Sequence, residues 1–438
     1  MAQPEYIILP RWVIPVEPAR QVLNDHAVLI GEGRVLAIQP REQALEDWPD
    51  TAVIERSDHV LLPGFINTHT HAAMTLLRGY ADDLPLQTWL AEHIWPAEGQ
   101  WVSREFVRDG TDLAILEMIR SGTTCFQDMY FFPDEVAAVA ADRGIRAFAS
   151  MIMLDAPTVW AQDRDEYLNK GLEVHDRYRD HPLVQTSFAP HAPYTVGDES
   201  LERIVTLANQ LDVNIHMHVH ETAAEVSDAE KEGARPLARL DKLGLVNPML
   251  NAVHMTQLED EEIGLLADRG VHVLHCPESN MKLSSGTCRV ADLLKAGVNV
   301  ALGTDGTASN NDLDMLGELR TAALLAKSHS GDAAAVAAHE ALAMATINGA
   351  KALGLGDVTG SLKAGKSADM ICIDLSVPAC QPVHNPLSQV VYSATRDQVS
   401  DVWVAGRHLY GENKFTTLDQ HEILERTNAW LSKMQQAQ

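Results

Sequence analysis

Eight short apolar runs, the first near residue 63, alternate with segments long enough to form amphipathic helices, and this alternation is the strongest constraint on the fold. The runs cover residues 64–71, 123–129, 146–154, 183–191, 213–221, 251–255, 271–279 and 298–306. Helical candidates between them include residues 103–121, 133–143, 198–211 and 312–327. Eight strands, each followed by a helix, over roughly 250 residues are typical of a closed (β/α)8 barrel in the α/β class.

An open, doubly wound parallel sheet is the competing fold, because it also alternates strands with helices. Such a sheet normally carries a glycine-rich phosphate loop after its first strand. Here the first run reads PGFINTHTH over residues 63–71 and ends in histidines instead. The sequence therefore favours the barrel.

Both flanks of the barrel region read as short strands. YIILPRWVIPV and AVLIGEGRVLAI precede the barrel, and GSLKAGKSADMICID and DQVSDVWVAGRHLY follow it. We expect the two flanks to pair into one small, β-sandwich-like domain. Residues 1–62 would form its first part and residues 63–356 the barrel, while residues 357–438 would complete the small domain and end in a helix near 418–435.

The charge balance and the absence of long apolar stretches limit the classes of partner. The 438 residues include 61 acidic and 34 basic side chains, which gives a net charge of −27. Because such a surface repels phosphate backbones, we expect no nucleic-acid partner. No run of about 18 apolar residues occurs and MAQPEYIILP lacks the pattern of a secretory signal, so we expect no membrane association. Five cysteines without a CxxC spacing fit free thiols, and we expect a cytoplasmic protein.

Six of the eight predicted strands end in histidine or in an acidic residue. These strand ends carry His69 and His71, His191, His218 with Glu221, His254, His275, and Asp305. A single buried histidine usually has only a packing role, but six polar strand ends are difficult to explain by packing. Active sites of (β/α)8 barrels lie at the carboxyl ends of the strands, where side chains from several strands meet. The pattern therefore predicts one shared site.

The spacing of His69 and His71 indicates a metal site. Side chains at positions i and i+2 lie on one face of a strand, so both imidazoles can bind one cation. A third imidazole and a carboxylate from other strands would complete a site that still admits water. In NIHMHVHET we favour His218 as this imidazole, with His220 as the alternative and His216 as an inner barrel residue. Such a donor set suits Zn²⁺, with Fe²⁺ or Mn²⁺ as alternatives.

The ordered motifs resemble those of the amidohydrolase superfamily, in its aminohydrolase branch. The similarity is closest to the members that deaminate 5′-methylthioadenosine and S-adenosylhomocysteine, and it covers nearly the whole chain. It is carried by PGFINTHTH, TWLAEHIWPAE, HAPYT, HMHVHET, VHMTQL, HCPESNMKLSSG, LGTDGTASNN and GSLKAGKSADM. The resemblance implies a distorted (β/α)8 barrel with a small β-domain, a zinc-dependent hydrolytic deaminase, and chains that commonly form homo-oligomers.

The same resemblance assigns residues to the site. His69, His71, His218 and Asp305 would hold the metal, and Glu98, His191, Glu221 and Asp305 would contact the substrate. In hydrolytic deamination Asp305 would accept the proton of the attacking water and Glu221 would protonate the purine N1. His254 would stabilise the developing oxygen charge. Trp89 is a further candidate, for stacking on the substrate.

Two features distinguish this chain from relatives with other sites or substrates. A binuclear centre needs a carboxylated lysine on strand four, and LVQTSFAPH contains no lysine, so we expect one divalent ion. Several relatives carry an arginine near the end of strand three, where RAFASMIML offers Ser150 and Met151. Without an arginine to pair with a carboxylate, the sequence favours 5′-methylthioadenosine, converted to 5′-methylthioinosine and ammonia, over S-adenosylhomocysteine or adenosine.

Two other functions are compatible with parts of this pattern. Aminohydrolases of guanine, cytosine or s-triazines share the metal residues and differ in the pocket. A non-catalytic barrel that serves as an assembly scaffold is the alternative from another class. A scaffold would be expected to lose the ligands, whereas this chain retains all four and the proton-transferring carboxylates.

Overall fold

The computed structural model describes residues 3–437. Five strands precede the barrel: β1 Tyr6–Val13, β2 Leu23–Asn24, β3 His26–Gly31, β4 Arg34–Pro40 and β5 Ala52–Pro63. The barrel strands are β6 Phe65–Thr70, β7 Thr123–Asp128, β8 Arg146–Ala149, β9 Met151–Met153, β10 Val184–Gln185, β11 Phe188–Pro190, β12 Ile215–Val219, β13 Leu250–His254, β14 His272–His275 and β15 Asn299–Leu302. Four strands follow: β16 Met370–Asp374, β17 Val399–Val404, β18 Arg407–Gly411 and β19 Lys414–Phe415.

The barrel strands occupy the eight predicted runs, and all their pairings are parallel. They form two parallel sheets, one of four strands in the order β10-β8-β7-β6 and one of six strands in the order β15-β14-β13-β12-β11-β9. Predicted strand three is split into β8 and β9 at Ser150, and predicted strand four is split into β10 and β11. Each of these two predicted strands therefore contributes one half to each sheet.

Strand β15 packs against β6 and brings the last strand next to the first. The amide of Asp305 donates to the carbonyl of His69 at 3.0 Å, and Thr68 Oγ1 donates to Leu302 O at 2.8 Å. Gly303 makes this approach possible, because a Cβ at that position would lie 2.7 Å from the Cβ of His69. The seam between β15 and β6 therefore places two predicted metal ligands side by side.

Most helices pack around the barrel, whereas the first, at residues 41–47, packs against β3 and β4 of the flanking sheet. The helices are α1 Arg41–Asp47, α2 Leu86–Thr88, α3 Trp95–Trp101, α4 Arg104–Arg120, α5 Pro133–Arg143, α6 Arg164–Tyr178, α7 Asp198–Leu211, α8 Ala223–Lys231, α9 Pro236–Lys242, α10 Asp260–Arg269, α11 Pro277–Lys282, α12 Val290–Lys295, α13 Met315–Ser330, α14 Ala338–Met344, α15 Ile347–Ala352, α16 Pro386–Tyr392 and α17 Gln420–Gln436. Short 3₁₀ helices span Ala72–Leu77, Pro378–Cys380 and Arg396–Gln398, and a π-helix spans Trp89–Ile94.

Along strand β12, hydrophobic side chains that pack in the core alternate with histidines that belong to the site. The residues of this strand alternate, so that Ile215, Met217 and Val219 join the main hydrophobic cluster. His216 and His218 lie on the other face of the strand, towards the barrel axis, because side chains alternate along a strand. Both are buried. The alternation of side chains along β12 therefore places two imidazoles in the barrel interior.

The two flanks form one nine-stranded sheet, in the order β19-β18-β17-β16-β5-β1-β3-β4, with β2 paired to β1. Antiparallel pairing of β16 with β5 joins the C-terminal flank to the N-terminal one. A buried ion pair between Arg146 and Asp369, with N and O atoms 3.0 Å apart, links this sheet to the barrel. The flanks thus pair as expected, while the exact boundaries at residues 62 and 357 stay a prediction. No helix within residues 3–437 is long and apolar enough to cross a membrane.

Candidate active site

Three predicted metal ligands meet at the seam between the first and last barrel strands. His69 lies at the end of β6, His71 follows it, and Asp305 comes three residues after β15. Oδ1 of Asp305 lies 3.2 Å from Nε2 of His69 and 3.2 Å from Nε2 of His71. His69 and Asp305 are buried. These atoms are close enough to share one cation.

His218 reaches the cluster from β12, and one of its ring nitrogens lies within 4.8 Å of ring nitrogens of His69 and His254. Its Nε2 lies 3.1 Å from Nε2 of His69. Its Nδ1 donates to the backbone carbonyl of His191 at 2.8 Å, and Nδ1 of His71 donates to the carbonyl of Met129 at 2.5 Å. Since a carbonyl only accepts, each of these two rings carries a proton on Nδ1 and turns its Nε2 towards the cluster.

This donor set fits a single divalent ion. Three Nε2 atoms and a carboxylate oxygen converge in a buried space, and converging lone pairs repel unless a cation lies between them. Imidazole nitrogens with one carboxylate suit Zn²⁺. The sequence of predicted strand four supplies no lysine for a second ion.

The electrostatics of the cluster follow from burial and from the charge of Asp305. Burial lowers the pKa of His69 to about 4 and the pKa of His218 well below its ordinary value. Burial also opposes a charge on His71, but its bond to Asp305 outweighs this and raises its pKa to about 9. The pKa of Asp305 stays well below its ordinary value, because hydrogen bonds from His69 and His71 outweigh the cost of burial. Asp305 is therefore an anion, and its charge favours a cation at the cluster.

Glu221 and His254 lie next to the cluster. Oε2 of Glu221 is 3.8 Å from Nε2 of His254, and both side chains are buried. Burial raises the pKa of Glu221, so this carboxyl is disposed to hold a proton. The two side chains line the same cavity as Asp305, which places a proton donor beside the metal ligands.

The segment that follows the 3₁₀ helix Ala72–Leu77 carries two of the residues predicted to contact the substrate. Trp89 begins the π-helix, and Glu98 lies in α3. Burial raises the pKa of Glu98 to about 7, although a hydrogen bond from Tyr130 lowers it. His191 enters from the end of β11, where its Nδ1 lies 3.0 Å from Thr195 Oγ1. Trp89, Glu98 and His191 all line the cavity.

The cavity has a volume of about 550 Å³ and leads from the cluster to the surface. Its outer part is lined by apolar and aromatic side chains, including Ile152, Leu154 and Tyr194. Carboxylates are present in its lining, but neither arginine nor lysine is among the lining residues within 3–437. The cavity therefore accepts an apolar substituent at its outer end more readily than an anionic one.

Several residues considered in the sequence lie elsewhere or act differently. His220 is turned away from the cluster, since its backbone has a φ of 53° and its Nε2 accepts from the amide of Leu237 at 3.2 Å. His216 does more than pack, because its Nε2 lies 2.7 Å from Nδ1 of His69. His275 is buried at the end of β14, outside the groups that could hold a metal within the described residues.

The strand-three positions expected to face the substrate do not line the cavity. Ser150 is buried and accepts hydrogen bonds from Gln127 and from the hydroxyl of Ser187. The side chain of Met151 lies against Gly171 of α6, on the outer face of the barrel. Because the strand breaks at Ser150, the positions that reach the cavity are Ile152 and Leu154.

Three side chains form hydrogen bonds to site residues but were not singled out from the sequence. Tyr130 donates to Glu98, Ser279 donates to Asp305, and Asn280 bonds to His254. The last two belong to the motif HCPESNMKLSSG, so their presence beside His275 was the available signal. Nothing in the spacing of Tyr130 indicated its contact with a helix more than thirty residues earlier.

Comparisons with known proteins place the chain in a family. The sequence profile of the Amidohydrolase family matches residues 60–409. A 5-methylthioadenosine/S-adenosylhomocysteine deaminase from Teredinibacter turnerae is 52% identical over 431 residues, which are 98% of this chain and 98% of that protein. A 5′-deoxyadenosine deaminase from Methanopyrus kandleri is 43% identical over 419 residues, which are 94% of this chain and 96% of that protein.

A solved structure shows the same architecture over the whole length. The crystal structure of an adenosine deaminase from Xanthomonas campestris, with bound zinc, matches this chain with a TM-score of 0.98. The two sequences are 50% identical, and the match covers 99% of each chain. These similarities confirm the resemblance read from the motifs and the predicted fold class.

Proposed function

This chain belongs to the amidohydrolase family, and from that premise we propose that it is a metal-dependent aminohydrolase of adenosine-type nucleosides. Its preferred substrate is 5′-methylthioadenosine, which water converts to 5′-methylthioinosine and ammonia. The observation that carries this proposal is the convergence of His69, His71, His218 and Asp305 beside Glu221 and His254 at the inner end of one cavity. The names of the relatives support the same reaction.

The residues around the cluster supply the acid and base that deamination needs. When bound there, a divalent ion lowers the pKa of water towards about 7 and so provides a nucleophile at neutral pH. Asp305 accepts the proton of the attacking water as its oxygen bonds to C6 of the purine. Glu221 gives its proton to N1, so that negative charge does not build up in the ring.

The remaining steps release the amine. His254 faces the oxygen that becomes attached to C6 and stabilises its charge electrostatically. The C6–N6 bond breaks as the proton held by Asp305 moves to N6, and ammonia leaves. As that bond breaks, the hydroxyl on C6 gives its proton back to Glu221 and becomes the carbonyl of the product inosine, so both carboxyl groups return to their starting states. Each acid or base step of this kind contributes about 10²–10⁴-fold to the rate.

The ribose and base are held by residues from different elements. Glu98, when ionised, accepts hydrogen bonds from the ribose hydroxyls, while His191 donates to a ribose oxygen. Trp89 covers the purine from the π-helix. A free base such as guanine or cytosine offers no ribose to Glu98 and His191, so these residues favour a nucleoside.

The lining of the outer cavity supports a preference among nucleosides. The homocysteine tail of S-adenosylhomocysteine carries a carboxylate that must lose water and then find a cation. Since no lysine or arginine lines the cavity within the described residues, that carboxylate would stay unpaired. An unpaired buried charge costs several kcal/mol, and about 1.4 kcal/mol is tenfold in kcat/KM. We expect a preference for 5′-methylthioadenosine of at least roughly tenfold.

Ammonia release from a substrate panel tests the proposal. The purified, Zn²⁺-loaded protein is assayed with 5′-methylthioadenosine, S-adenosylhomocysteine, 5′-deoxyadenosine, adenosine, guanine and cytosine. We expect kcat/KM to be highest for 5′-methylthioadenosine and to be negligible for the free bases. Faster release from a free base would assign the chain to another aminohydrolase, and no release from any compound would favour the scaffold. Location in the cytoplasm and association of copies are further proposals from the resemblance, which fractionation and light scattering would test.

A further inference from the structure

Two adjacent residues outside the proposed chemistry each bond to a different reacting side chain. Ser279 and Asn280 lie in α11, the short helix that follows β14, and both are fully buried. We propose that they are positioning residues, Ser279 for the ligand Asp305 and Asn280 for His254. The inference rests on the proposed function for the roles of these two partners, while the contacts are independent of it.

Ser279 controls the second oxygen of Asp305. Its hydroxyl donates to Oδ2 at 2.7 Å, whereas Oδ1 faces His69 and His71. The amide of Gly306 donates to Oδ1 at 2.8 Å. The carboxylate is thus held at both ends, and the bond from Ser279 keeps its plane fixed so that only Oδ1 is turned towards the cluster.

Asn280 controls the ring of His254. Its Oδ1 lies 2.9 Å from Nδ1 of His254, and an amide oxygen can only accept. The ring proton is therefore held on Nδ1, and Nε2 faces Glu221 and the cavity. A ring nitrogen of His254 lies within 4.8 Å of ring nitrogens of His69 and His218, but the hydrogen bond of its Nδ1 is to Asn280, so Asn280 acts directly on His254.

The backbone of α11 explains why two neighbours can reach two targets. The amide of Asn280 donates to Cys276 O at 3.0 Å, and the amide of Leu283 donates to Ser279 O at 3.0 Å. These bonds fix the helix directly after β14, and successive side chains on a helix point in directions about 100° apart. One short rigid element therefore orients both Asp305 and His254.

Matched pairs of variants separate positioning from general packing. Ser279→Ala is compared with Ser285→Ala, since Ser285 is also buried and its hydroxyl has no hydrogen-bond partner within the described residues. Asn280→Leu is compared with Asn251→Leu, because the amide of Asn251 is likewise buried and unpartnered over residues 3–437. All four proteins are tested for Tm, for Zn²⁺ affinity by competition with a chelator, and for kcat and KM.

We expect the two positioning variants to differ in a specific way. Ser279→Ala should weaken Zn²⁺ binding about tenfold and, at saturating metal, lower kcat roughly 10- to 100-fold, with KM within about threefold. Asn280→Leu should leave Zn²⁺ affinity within about threefold but lower kcat by a similar factor. Ser279→Thr retains the hydroxyl and should restore most of the Zn²⁺ affinity.

Two results would overturn the inference. One is that Ser279→Ala and Asn280→Leu keep native Zn²⁺ affinity and native kcat, and the other is that Ser285→Ala and Asn251→Leu show equal losses. If the native protein deaminates none of the nucleosides, the proposed function fails, yet the Zn²⁺ affinities of Ser279→Ala and Ser285→Ala still decide the role of Ser279.

Discussion

The hydroxyl of Tyr130 donates a hydrogen bond of 2.7 Å to Oε1 of Glu98. Tyr130 follows β7 of the barrel, and Glu98 lies in α3, above the cavity. The bond ties the covering helix to the barrel, and the other carboxylate oxygen of Glu98 accepts no hydrogen bond from residues 3–437. The residue proposed to bind ribose is thus held in place by a residue that the sequence did not single out.

Tyr130→Phe should therefore weaken nucleoside binding without affecting the metal. We expect KM for 5′-methylthioadenosine to rise roughly tenfold or more, since a hydrogen bond to a charged group contributes about 1.5–3 kcal/mol. Initial-rate kinetics and metal analysis measure both quantities. Tyr194→Phe is the control, because Tyr194 lines the same cavity near its mouth. Equal KM changes in the two variants would contradict the role of Tyr130.

Glu98 should make stability depend on pH. Burial raises its pKa to about 7 in the folded protein, from about 4.5 when unfolded, so between these values the folded state binds the proton more tightly. The free energy of unfolding should therefore fall as the pH rises through this range. Glu98→Gln removes the effect, so its Tm should decline less than the native Tm between pH 5 and pH 8. Glu92→Gln, at an exposed position, should follow the native curve, and parallel curves for all three would exclude the effect.

Metal content should depend on His218 and be independent of His220. We expect about one divalent ion per native chain, and loss of the ion and of activity in His69→Ala and His218→Ala. His220→Asn is the control, since His220 lies on the same strand run but bonds to Leu237. Elemental analysis of the folded fraction measures the difference. Retention of the ion by His218→Ala would contradict the ligand set.

Glu221→Gln should separate metal binding from proton transfer. The substitution keeps the shape of the side chain and removes its titrating proton, so the metal should remain while kcat falls by about 10²–10⁴. Glu230→Gln, at an exposed position, is the control. Near-native kcat in Glu221→Gln would exclude this residue as the acid that protonates N1.

The missing cation in the outer cavity can be supplied at Leu154. Leu154→Arg places a guanidinium where the homocysteine carboxylate would lie, so kcat/KM for S-adenosylhomocysteine should rise relative to 5′-methylthioadenosine. Met151→Arg is the matched control, because Met151 faces α6 instead of the cavity. A ratio of the two kcat/KM values that is unchanged in Leu154→Arg would count against the proposed position of the tail.

The alternation of residues along a strand correctly predicted which side chains face the barrel interior where the strand is regular. It failed where the strand is interrupted. Alternation placed His69 and His218 correctly in the barrel interior, because β6 and β12 are regular over those residues. The same rule also put His220 beside His218, but a positive φ turns that residue away. The break at Ser150 likewise moved Met151 to the outer face. No sequence period reports such local backbone changes.

Contacts between distant elements were beyond sequence reasoning for a different reason. Tyr130 meets Glu98, and His216 meets His69, only because the barrel closes and brings separate strands and helices together. The residues proposed to hold the metal could be named from the sequence because the resemblance gives their order along the chain. The residues that orient them depend on three-dimensional distances, which neither composition nor spacing contains.

The seam at Gly303 affects when the protein can acquire its metal during synthesis. His69 emerges early from the ribosome, whereas Asp305 and the β15 strand that carries it are made only after most of the barrel. Until β15 docks against β6, the imidazoles lack their anionic partner and the close approach at Gly303 has not formed. The proposed ligand set is therefore complete only after barrel closure. An ion held by both His69 and Asp305 would link the first barrel strand to the last.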